Sequence, residues 1–158
     1  VHTLLHHATK TGSADLVAYL LGRRAEAMAT GSEALSPMHV AAQYGHSSIL
    51  EESLRHGLSM KIKDQLGRQP LHYAAANGHA KVVKLLLKWR VDFGERRVLQ
   101  PLHLVSQAGD VSMARLLISL RASPDAETPR GLQPMHFAAA EGHAPVVQEL
   151  VQLRARPW

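Results

Sequence analysis

The chain of 158 residues carries 18 Lys and Arg against 13 Asp and Glu, a formal charge of +5, with no cysteine. Lacking cysteine, it is excluded from disulfide and thiolate chemistry, which fits an intracellular setting, cytoplasm or nucleus. With no apolar run of 18 residues and no leader-like pattern, membrane insertion is not expected, and the basic balance favours a partner with an acidic surface.

Read in chain order, the sequence repeats. Histidines at His6, His39, His72, His103 and His136 follow one another at intervals of 33, 33, 31 and 33 residues. The glycines Gly12, Gly45, Gly78, Gly109 and Gly142 keep the same register, including the two-residue deletion. Two independent markers in one register define about five units, each too small to bury its own apolar face. The first unit opens with Leu4-Leu5-His6 and continues into Leu16, Val17, Leu20 and Leu21. The second opens at Pro37-Met38-His39 and continues into Ile49, Leu50 and Leu54, with Glu52 and Ser53 where apolar residues are expected. Its second helix is therefore expected to be the least stable interior one. The third, Gln69 to Leu87, is the most regular: a Pro-Leu-His entry, an alanine run, Asn77-Gly78-His79, then Val82, Val83, Leu85, Leu86 and Leu87. The fourth and fifth open at Pro101 and Pro134 and continue into Met113, Leu116, Leu117 and Ile118, and into Val146, Val147, Leu150 and Val151.

This pattern predicts two short helices per unit. Proline suits the first helical position, because the N–H it lacks has no intrahelical partner there. Alanine favours helix and allows close approach, and the glycine ends the first helix so the chain can reverse. The second helix carries its apolar residues near i, i+3, i+4. Lys63 to Gly67 and Glu127 to Gly131 read as hairpin-like reversing loops. The 31-residue interval falls between Trp89 and Gln100, predicting a shorter finger over Arg90 to Arg97. His7, Thr9 and Lys10 at one end, and Gln148, Glu149 and Gln152 at the other, are expected to form polar end faces.

The chain resembles the ankyrin-repeat family over essentially its whole length. Ser36-Pro37-Met38-His39-Val40-Ala41-Ala42 stands close to the family's Thr-Pro-Leu-His-x-Ala-Ala motif, and Asp64 to His72 reproduces its loop-to-helix passage. The resemblance implies an all-α solenoid of stacked antiparallel helix pairs joined by hairpin-like loops. It implies a single ankyrin-repeat domain, 1–158, with repeats at approximately 1–33, 34–66, 67–97, 98–130 and 131–158. Because Val1 falls inside a repeat, the chain is expected to be part of a longer protein. Departures from the family pattern are Gln69, Gln100 and Gln133 where Thr usually caps the helix, and Arg24, Arg90, Arg121 and Arg154 where glycine usually ends the second helix. Glutamine caps poorly, at a cost of about 1 kcal/mol per site; an arginine held left-handed costs about the same.

The resemblance also implies a concave binding face made of loop tips and the exposed side of each first helix. The matching positions are Glu33, Leu35, Gln43 and Tyr44, then Gln65, Leu66, Arg68 and Asn77. Further along come Arg96, Arg97, Leu99 and Gln107, and finally Arg130, Leu132 and Glu141. Eleven histidines invite a metal reading. Motif histidines one repeat apart stand too far from one another to share an ion, so His6, His39, His72, His103 and His136 read as structural. No catalytic motif occurs. The expectation is a monomeric, non-enzymatic scaffold that binds another protein, without cofactor, metal or small-molecule substrate. An alternative is a segment docking on a neighbouring domain of the same protein. Nucleic-acid binding through the basic finger at Arg90 to Arg97 is a weaker reading, since three arginines and one indole offer few cations and one stacking ring.

Overall fold

The computed structural model describes residues 4–23, 35–93 and 99–154. Among them the chain is helical, without strands, and it divides into two compact units, Val1–Asp92 and Phe93–Trp158. The division falls inside the interval that is two residues short. In the first unit, α1 (Leu4–Lys10), α3 (Pro37–Gln43) and α5 (Pro70–Ala76) pack side by side, and α2 (Ala14–Gly22), α4 (Ser47–Arg55) and α6 (Ala80–Lys88) pair with them. In the second, α7 (Pro101–Ala108) packs on α9 (Pro134–Ala140), while α8 (Val111–Ser119) packs on α10 (Ala144–Arg154).

Each proline-led helix starts at its proline, as the sequence predicts. The helix entry is tied by the motif histidine. Nδ1 of His39, His72, His103 and His136 accepts the backbone N–H of Ser36, Gln69, Gln100 and Gln133 at 2.9 to 3.1 Å. The histidine thus supplies the N3 half of a capping box. Glutamine contributes no side-chain cap at Gln69, whose Oε1 is buried without a partner. That cost is local, because the entry is held from the other side.

Turns between paired helices are Schellman turns. At the end of α3, Gly45 N–H donates to Ala42 O at 3.3 Å and His46 N–H to Ala41 O at 2.9 Å, with φ of Gly45 at +76°. Of the second helices, α4, α6 and α8 end the same way. There Gly57 (φ 78°) terminates α4, but Arg90 (φ 58°) and Arg121 (φ 74°) terminate α6 and α8 in the same left-handed region. The arginines therefore keep the glycine geometry and carry its strain, while Val91 and Ala122, next in sequence, bury against the helix end. Arg24 lies outside the described residues, and Arg154 is the last residue of α10.

The core is thin and aliphatic. Met38, Ile49, Leu50, Leu71, Val82, Val83 and Leu86 are fully buried in the first unit; Leu102, Leu117 and Leu150 are among those buried in the second. The apolar stripe is narrower than its sequence suggests. Leu16 is 39% exposed and Leu54 37%. Leu16 belongs to α2, which packs against α1 and α4. Ser53 is fully buried and its hydroxyl donates to Ile49 O at 2.7 Å, so α4 accommodates a polar core residue by bonding back to its own backbone.

Two expected end-face residues are placed otherwise. Thr9 is buried and donates to Leu5 O at 2.7 Å, on a helix packed against α2 and α3. Glu149 is half-buried and forms a two-point ion pair with Arg115 of α8, at 2.7 and 3.0 Å.

Candidate functional site

Histidines stitch successive repeats together. Nε2 of His6 donates to Leu35 O at 2.8 Å, and Nε2 of His39 to Arg68 O at 3.0 Å. In the second unit Nε2 of His103 is shared between Ala126 O at 3.1 Å and Leu132 O at 3.3 Å. With a carbonyl at Nε2 and an N–H at Nδ1, the rings of His39 and His103 are neutral and carry their proton on Nε2. Burial holds both below the ordinary imidazole value of 6.5. The histidines after the turn glycines do a parallel job: His46 bonds Lys10 O, His79 bonds Gln43 O, and His143 bonds Gln107 O, at 3.2, 2.8 and 3.0 Å. In both series Nε2 bonds a backbone carbonyl of another repeat, and Nδ1 of His39 also meets Ser36 Oγ at 2.9 Å. Among the described residues no three His, Asp or Glu side chains converge as a metal-binding group.

The hairpin tips are as firmly built. Asp64 is the hub of the tip in the first unit. Its Oδ1 accepts the Leu66 and Arg68 N–H groups at 2.8 Å each; its Oδ2 accepts Arg68 Nε at 2.8 Å and Tyr73 Oη at 2.6 Å. The side chain is 2% exposed. Burial pushes its carboxyl up, but the bonds from Tyr73 and Arg68 outweigh burial and hold it below its ordinary value of 3.8. Arg68 also lies over the Tyr73 ring, 4.9 Å from its centre. The tip of the second unit is closed by Thr128, whose N–H donates to Leu132 O at 3.0 Å and whose hydroxyl accepts Leu132 N–H at 3.2 Å. These rigid supports hold Leu66 out at 72% exposure and Leu132 at 40%, with Gln65 and Arg130 exposed beside them.

The exposed sides of the first helices carry the remaining positions. In the first unit Tyr44 is 44% exposed, Gln43 is half-buried, and Asn77 is exposed with its amide donating to Tyr73 O at 2.8 Å. In the second, exposed Gln107 and Glu141 face each other at 3.4 Å, and Leu99 is half-buried. Leu35 is only 7% exposed, and its carbonyl anchors His6. Arg96 and Arg97, like Glu33, lie outside the described residues; of the basic finger, Arg90 is exposed and Trp89 half-buried.

Several contributors are absent from the set implied by the resemblance. Lys10 and His7, with His6, Leu35, Val40, Gln43 and Tyr44, line a cavity of about 230 Å³ between α1 and α3. The register signals Lys10, which stands 33 residues before Gln43. Asp64 has a signal too, in the Asp-x-x-Gly spacing of an Asx-type turn.

Short helix pairs, a histidine-bonded stack within each unit, and solvent-facing hairpin tips define a helical repeat protein. A family model described as Ankyrin repeats (3 copies) matches residues 5–97 and again 90–158. The chain belongs to the ankyrin-repeat family. Ankyrin repeats are generally protein–protein interaction modules and typically non-enzymatic. No curated protein matches the chain. Among the described residues no helix is long and apolar enough to cross a membrane.

Proposed function

We propose that the chain binds another protein through the surface made of its hairpin tips and the exposed sides of its first helices. The observation that carries this reading is Leu66: a large apolar side chain, 72% exposed, on a tip that Asp64 fixes through four bonds. An apolar group kept in water loses by exposure, and a rigid support spares the entropy of ordering a loop on binding. Tyr44, Arg130, Leu132 and Glu141 add an aromatic ring, a cation, an apolar group and an anion to the same kind of position. Aromatic and arginine side chains dominate interface hot spots, whereas solvated faces are rich in Lys and Glu. The second helix α6 supplies such a solvated face, with Lys81, Lys84 and Lys88 exposed.

A photo-crosslinking residue at position 66, compared with one at position 84, tests the reading. Exposed to a cell lysate, the position-66 protein is expected to yield discrete covalent adducts that position 84 does not. Equal labelling at both positions, or none at position 66, contradicts it.

A further inference from the structure

The cavity between α1 and α3 combines apolar and basic groups. Its lining residues are His6, His7, Lys10, Leu35, Val40, Gln43 and Tyr44. It has an apolar floor of Leu35 and Val40, both buried, and a basic rim with no carboxylate among the described lining residues. The rim is built. His46 Nε2 fixes the Lys10 carbonyl at 3.2 Å, the His46 ring stacks on Tyr44 at 6.2 Å, and the Lys10 ammonium lies 5.8 Å from the centre of the Tyr44 ring. No described carboxylate pairs with Lys10. A cation held over an aromatic face beside an apolar hollow is arranged to meet a carboxylate whose chain also brings an apolar side chain.

Size narrows the occupant. About 230 Å³ lies below the roughly 300–1,000 Å³ of small-molecule and cofactor sites. It suits one bulky side chain of a partner segment. We propose that this pocket receives an apolar side chain, Leu, Met or Phe, from a partner segment that carries an Asp or Glu one or two residues away. The apolar side chain seats on Leu35 and Val40; the carboxylate meets Lys10, with His7 and Tyr44 closing the rim. This rests on the protein-binding reading above and adds the partner's local sequence to it.

The test is selection of random peptides on the whole 158-residue chain, followed by affinities for variants. Selected peptides are expected to pair an acidic residue with a neighbouring bulky apolar one. Lys10→Gln, which keeps most of the aliphatic stem, and Tyr44→Ala are each expected to weaken them at least tenfold, while Lys10→Arg retains binding. Both positions, Lys10 and Tyr44, carry exposed side chains, so the fold is not at issue. Selected peptides without acidic residues, or affinities unmoved by Lys10→Gln, overturn the pocket, as does the failure of any peptide to be selected. If Leu66→Ala and Arg130→Ala weaken the peptides but Lys10→Gln does not, the broader surface stands and only the pocket falls. If none of these variants matters, both fall.

Discussion

At the scale of single residues, His39, His103 and Asp64 have ionisation states tied to their burial and bonds. His39 and His103 are buried and neutral, and a proton added at Nδ1 would face the backbone N–H it now accepts. Folded, they bind a proton only below the ordinary value of 6.5, so the unfolded chain takes up more protons in that window. Stability contributed by these two groups is therefore complete above about pH 6.5 and declines as pH falls below it. Thermal melts at constant salt are expected to show a lower Tm at pH 5 than at pH 7.5, with the slope reduced in His103→Gln. Asp64 acts lower. Its depressed carboxyl stabilises fully above 3.8, and that contribution is lost as pH falls through its folded value. Asp64→Asn removes the charge that Arg68 Nε and Tyr73 Oη meet, at an expected cost of about 2 kcal/mol in urea titration. An unchanged midpoint would contradict the role of Asp64 as hub of the tip.

Gly45 and Gly142 separate two reasons for a glycine. Both adopt φ +76°. A Cβ at Gly45 would lie 2.7 Å from Nδ1 of His79, whereas one at Gly142 meets nothing within 4 Å. Gly142→Ala is expected to cost only the left-handed backbone, about 1 kcal/mol. Gly45→Ala should cost about 1 kcal/mol more, because it also displaces the His79 bond to Gln43. Equal losses in paired denaturant titrations would remove His79 from the list of residues holding repeats together.

At the scale of elements, the helix limits are legible in the sequence because each is punctuated by a residue of restricted or unusual conformation. Proline starts α3, α5, α7 and α9, and a left-handed glycine follows each one. The capping chemistry is less legible. Glutamine before proline reads as a lost cap, yet the entry is secured by an imidazole three residues on, which becomes visible only when the ring's second nitrogen finds its carbonyl. Burial within the second helices is also only partly legible. Leu16 and Leu54 fit the apolar period but remain over a third exposed, since period alone does not say how many neighbours a helix has. Asp64 is overlooked beside Gln65, Leu66 and Arg68 for the opposite reason: it is buried at a tip where charge is expected to be solvated.

The arginines that replace terminal glycines give the element-scale prediction. Arg121 holds φ 74° with an exposed side chain, so its backbone is strained with no buried partner to compensate. Arg121→Gly is expected to raise stability by about 0.5–1 kcal/mol, the left-handed cost less the entropy glycine loses on folding. A decrease would show that the guanidinium earns its place through contacts with the end of α8.

At the scale of the whole molecule, each unit buries one aliphatic layer and joins its repeats by histidine-to-carbonyl bonds. The fold is readable from sequence because five copies vote on the same pattern. The binding surface is less so, because exposure and rigidity at the tips depend on bonds from residues several positions away. The division at Asp92 and Phe93 coincides with the short interval, which marks where the repeat is least regular.

The central claim is that partners are taken through tips and first helices. It is tested most directly by affinity capture with a variant carrying Tyr44→Ala, Leu66→Ala, Arg130→Ala and Leu132→Ala, set against a Lys81→Ala, Lys84→Ala control of matched Tm. Loss of the captured partner by the first variant and its retention by the control is the result predicted. Full retention by the first variant would contradict it.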